Sequence, residues 1–79
     1  MGSVELAMFI LTVLQIIAAS KTPPTGPVAE AAAEMQRLYN RLREAARQNQ
    51  EWTPEQEAAM DARAEGVFAS LAANPEINA

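Results

Sequence analysis

The sequence predicts an all-α chain: an N-terminal hydrophobic helix plus an antiparallel two-helix hairpin, not self-sufficient as a monomer. Three observations carry that prediction. β-Branched residues are few outside positions 10–17, and Ala, Glu, Gln, Arg, Met and Leu, the better helix formers, dominate the rest. Two proline-bearing breaks, KTPPTGP at 21–27 and QNQEWTP at 48–54, divide the chain into three segments of helical length. Proline lacks the amide donor and pushes the residue before it out of the α region, so no helix crosses either break. Finally, 79 residues make one small domain at most, with a core too small to stabilise it comfortably. With neither Cys nor His present, disulfides and a structural zinc site are excluded as supplements, which leaves association.

The first segment, residues 1–20, is the contact or membrane segment. Its run MFILTVLQIIAAS, from Met8 to Ser20, holds no charge. On a helix from about Val4 to Ser20, Glu5, Met8, Thr12, Gln15 and Ala19 fall on one narrow line. The rest of the circumference is apolar, and a helix hydrophobic nearly all round is buried nearly all round. Two further helices cover only one side of it. Leu6, Phe9, Ile10, Val13, Ile16 and Ile17 are therefore the candidate intermolecular contact residues.

Three surroundings compete for that face. The uncharged window from Leu6 to Ser20 would be ~22 Å long as a helix, short of a ~30 Å hydrocarbon core. Snorkelling of Glu5 and Lys21, or a thinned bilayer, would extend the span. The small residues before Lys21 fit a signal-peptide cleavage site, but the leading MGSVE has no basic residue and carries an acid, against that pattern. Burial against protein supplies the association that a small chain needs, and it is set ahead of the bilayer.

Residues 21–27 form a Pro-rich linker. The second helix starts near Pro27, a good first-turn residue, and runs to about Gln48. Val28, Ala31, Met35, Leu38, Leu42 and Ala45 alternate three and four apart, a heptad seam that Ala32 and Tyr39 widen. Thr53 then reads as an N-cap, with Pro54 at the first helical position and Gln56 completing a T-x-x-Q capping box. Glu55 and Glu57 sit in that first turn, where the helix dipole favours acids. The third helix, to about Ala72 or Ala73, carries Met60, Ala64, Val67, Phe68 and Leu71 as one stripe. Residues 28–73 thus form a helical hairpin whose predicted core is Met35, Leu38, Leu42, Trp52, Met60, Val67, Phe68 and Leu71. Arg43 and Arg47 should lie beside Glu51, Glu55 and Asp61 across it. Residues 74–79 are a frayed tail.

No motif carries catalysis, and the chain reads as no enzyme. There is no His for base work, no Cys nucleophile, and no visible activating neighbour for Ser3, Ser20 or Ser70. Gly2, Gly26 and Gly66 make no phosphate loop. Glu30 with Glu34, and Glu57 with Asp61, stand one turn apart, but a cation cage needs several convergent oxygens, so no cofactor or metal is expected. The net charge of −4 and four aromatic residues argue against nucleic acid as partner. Arg37, Arg41, Arg43 and Arg47 are the one basic cluster. Pairing along the helices, as in Glu34 with Arg37, accounts for it more simply than lipid or nucleic acid does.

In layout, and most specifically in WTPEQEAAMDARAEGVF at 52–68, the chain resembles small uncharacterised proteins of tailed bacteriophages and prophages. Those carry an N-terminal apolar helix and a C-terminal helical hairpin. The resemblance implies a non-enzymatic assembly protein, a minor virion component packed through its apolar helix against copies of itself or a larger structural protein. The alternative is a membrane-associated single-span or interfacial protein such as a holin-like lysis factor. It implies the virion or the inner membrane of a bacterial host as location. Most holins have a longer apolar span, or more than one, and a basic tail; this chain departs on both counts.

Overall fold

Helix-forming composition and two clean breaks give three helices: α1, Ser3–Ala19; α2, Gly26–Gln48; and α3, Pro54–Ala72. The computed structural model describes residues 2–19 and 26–73, and among these every regular element is helical. Linker positions 21–25 and the tail at 74–79 lie outside the described residues. The last two positions assigned to the linker, Gly26 and Pro27, already belong to α2.

The break between α2 and α3 is built from side-chain and backbone caps. At the end of α2 the Glu51 amide donates to the Ala46 carbonyl at 2.9 Å and the Gln50 amide to the Arg47 carbonyl at 3.2 Å. This crossed pair is a Schellman motif, which satisfies carbonyls that the helix end would otherwise orphan. It requires a left-handed residue at its centre, and Gln50 takes that conformation with φ 53°. Glycine is the usual occupant of such a site; this chain uses a residue with a Cβ. Three residues on, the Thr53 hydroxyl accepts from the Gln56 amide at 3.1 Å, and the Gln56 side chain accepts from the Thr53 amide at 2.9 Å. The capping box read from T-x-x-Q is complete, with Pro54 at the helix start.

Side by side, α2 and α3 meet through long side chains. Near the turn, Arg43 of α2 donates to both Asp61 oxygens, at 2.5 and 2.8 Å, and reaches Glu57 at 3.3 Å. Asp61 is one of the acids expected beside Arg43; Glu57 was placed in the helix cap by the sequence and here does both. The Arg43 guanidinium holds the Asp61 carboxyl below the usual carboxylate range, chiefly through its hydrogen bonds. Further from the turn, the Tyr39 and Phe68 rings meet edge to face, centroids 5.7 Å apart.

Against both of these helices packs α1. Its inward face is Ala7, Ile10, Leu11 and Leu14, all buried, with Val4, Ile17 and Ala18 at the margins. The core is completed by Ala32, Tyr39 and Ala46 from α2, Trp52 from the turn, and Met60, Ala64, Val67 and Leu71 from α3. The three α2 residues are spaced by seven, so each returns to the same face. Alanine above and below Tyr39 lets a neighbouring helix approach closely while the phenol ring fills the middle. A tie at the base fixes the start of α1: the Trp52 indole N–H donates to the Ser3 hydroxyl at 3.0 Å.

The eight residues predicted as hairpin core divide in this arrangement. Trp52, Met60, Val67 and Leu71 are buried, and Met35, Leu42 and Phe68 pack half-buried against the core. Leu38 does not join it and stands 46% exposed. The seam predicted through Leu38 is rotated by one residue, so that Tyr39 points inward. The physical reason is that α2 serves two neighbours, and its buried line is centred between them.

Candidate interaction surface

Once α1 has turned Ala7, Ile10, Leu11 and Leu14 inward, its remaining faces define the surface of interest. Of the six predicted contact residues, Leu6, Phe9 and Ile16 are exposed, Phe9 at 59% and Ile16 at 66%. Val13 is half-buried, and Ile17 is half-buried against the core. Ile10 is a correction: it is 2% exposed and is covered by this chain's own helices, because it falls on the same face as Ala7 and Leu14.

The flank on which this stripe lies follows from the polar contacts of its neighbours. Arg63 of α3 donates to the Thr12 hydroxyl at 2.9 Å and to the Gln15 side-chain oxygen at 3.4 Å. The Thr12 hydroxyl in turn donates to the Met8 carbonyl one turn back. The polar line of α1 therefore faces α3, and its hydrogen-bonding neighbour is an arginine of the same chain. Leu6, Val13 and Ile17 lie on the opposite flank, toward α2. In α2 the same logic applies, since Arg43 reaches α3 and places Met35, Leu38 and Leu42 on the flank toward α1. Phe9 and Ile16 stand between these two flanks, opposite the buried face of α1, and with Leu6 and Val13 they make one outer stripe. Among the described residues of α1, Glu5 is the one charge, and it stands at the first turn, where the helix dipole favours it.

On the other side of α1, an open groove of about 390 Å³ runs between α1 and α3, lined by Gln15, Ala18, Ala62, Arg63, Gly66 and Ser70. Its polar groups are already engaged: Arg63 with Thr12 and Gln15, and the Ser70 hydroxyl with the Gly66 carbonyl at 3.0 Å. Among the described residues no group of three potential metal ligands converges. The basic cluster is dispersed. Arg43 is bound to Asp61 and Glu57, and Arg37 pairs with Glu34 on the exposed face of α2. That pairing lowers the Glu34 carboxyl below its ordinary range.

Tyr39 is the one side chain whose burial leaves a polar atom without a protein partner among the described residues. Burial pushes its hydroxyl pKa up, with the nearby Asp61 carboxylate adding to the effect. No described helix is long and apolar enough to cross a membrane. Comparison with known proteins finds no matching family model, no matching curated protein and no matching solved structure.

Proposed function

We propose that this chain is a non-enzymatic helical assembly protein that docks on other protein through the outer face of its N-terminal helix. In this reading α2 and α3 form an antiparallel hairpin that presents α1, and the three-helix unit is completed by its partner. One observation carries the reading. After α1 has buried Ala7, Ile10, Leu11 and Leu14, it still turns Leu6, Phe9 and Ile16 outward. Isolated apolar residues on a surface are ordinary, but a contiguous stripe of large ones marks an interaction site. The tailed-phage resemblance supplies the setting, a virion in which the neighbour is a copy of the chain or a larger structural protein.

The test is the behaviour of the full-length protein without detergent, alone and with liposomes. Stable assemblies that remain in the aqueous phase support the reading. Precipitation rescued only by detergent, or flotation with the liposomes, assigns the same face to lipid and overturns it.

A further inference from the structure

We infer that the partner seated on the outer face of α1 is a second copy of this chain, packed antiparallel about a two-fold axis between Phe9 and Val13. The inference rests on the protein-docking role just proposed and names its occupant. The spacing of the stripe, Leu6, Phe9, Val13 and Ile16, is three, four, three, which reads identically from either end. A two-fold axis at its midpoint therefore sets Leu6 against Ile16 of the second copy and Phe9 against Val13. The sizes fit as well as the positions. Phe9 projects at 59% exposure while Val13 is short and half-buried, so the large ring of each copy meets the shallow position of the other. Facing large and small side chains is how two apolar layers interdigitate without voids. An isologous contact needs this self-complementarity, because the same patch must serve both sides.

The area is also of the right order. Leu6, Phe9 and Ile16, with the half-buried Val13, turn on the order of 350 Å² of apolar side chain outward per copy, the size of patch that marks an interaction site. Pairing two copies would remove on the order of 700 Å² of apolar surface, the scale of a weak, reversible interface rather than an obligate one. Lipid is the weaker fit. A face that lies on an anionic bilayer is rimmed with Lys and Arg, whereas α1 carries Glu5, and the base seated against it, Arg63, is held by Thr12 and Gln15, in a chain of net charge −4.

Equilibrium sedimentation of the full-length protein across the micromolar range is the primary test, and a dimer is expected. Phe9→Glu and Ile16→Glu act at exposed positions, so helical circular dichroism should be retained while each weakens the dimer by on the order of 100-fold. The exchange Phe9→Val with Val13→Phe in one chain restores the facing pair and should recover the dimer, whereas either substitution alone should not. Because the chain has no cysteine, geometry can be read directly. Phe9→Cys and Val13→Cys chains, mixed and mildly oxidised, should cross-link to each other faster than either does to itself. A monomeric wild type, or a dimer indifferent to both glutamates, overturns the second-copy assignment. Neither result touches the distinction between protein and lipid, which the liposome experiment decides separately.

Discussion

Replacing Leu11 by Ala separates the two faces of α1 most sharply. Leu11 is 0% exposed, at the middle of the inward face, and its removal leaves Ala7 and Leu14 lining a void between three helices. The transfer of three carbon groups alone is worth about 2.5 kcal/mol, and the residual cavity brings the expected loss to about 3–5 kcal/mol. A domain of this length has a total stability of only about 4–12 kcal/mol, so this one change should remove a large part of it. Phe9→Ala, two residues away on the outward face, should cost the isolated chain less than about 1 kcal/mol. The assay is urea unfolding followed by circular dichroism and by Trp52 fluorescence, each at several protein concentrations. The loss at Leu11 should be independent of concentration. The effect at Phe9 should grow with concentration, because it acts through association. A Leu11→Ala chain with the wild-type midpoint, or equal losses at the two positions, would refute the assignment of inner and outer faces.

Four further outcomes follow from individual contacts. Thr53→Ala, which removes half of the capping box, should cost about 1 kcal/mol in the same unfolding assay. Gln50→Gly should stabilise the protein by about 0.5–1 kcal/mol, since it relieves a side chain held in the left-handed region without altering the turn. Tyr39→Phe keeps the edge-to-face contact with Phe68 and deletes a buried hydroxyl without a protein partner, so a gain of about 1 kcal/mol is expected by thermal melting. Asp61 has a folded-state pKa below its unfolded value, so its pairing stabilises the protein above the unfolded pKa and is lost as pH falls through the folded one. Asp61→Asn should accordingly flatten the acid limb of the stability–pH curve, and an unchanged limb would remove the Arg43 pair from the account.

The helix boundaries were legible because they are written in local chemistry. Pro54, Thr53 and Gln56 announce the start of α3 within four residues, and their contacts are those the motif dictates. The stripe of α3 was legible for the opposite reason, since Met60, Val67, Phe68 and Leu71 are the large apolar residues on an otherwise small and polar helix. What escaped was the rotation of α2 and of α1. In α2 the buried line is Ala32, Tyr39 and Ala46, two small residues and one with a hydroxyl, while the more hydrophobic Leu38 faces out. A pattern weighted by hydrophobicity is drawn toward the leucine, but close approach of helices is set by the alanines. In α1 the difficulty was the lack of contrast, because Ile10 and Ile16 are the same residue type and only the tertiary arrangement separates buried from exposed. The polar line of α1 did hold a signal. Thr12 and Gln15 mark the side on which Arg63 lies, but the sequence offers no means of matching those acceptors to a particular arginine.

The packing of α1 also has a consequence during synthesis. Its polar line is satisfied by Arg63, 51 residues further along the chain, and its inward leucines wait for Met60, Val67 and Leu71. At ordinary elongation speeds the ribosome needs about 3–10 s to add that stretch. Until that stretch is made, α1 has only α2 to pack against, and Thr12 and Gln15 lack their arginine. An order of elements with α1 last would shorten that interval; in this one the core closes only when α3 has been made.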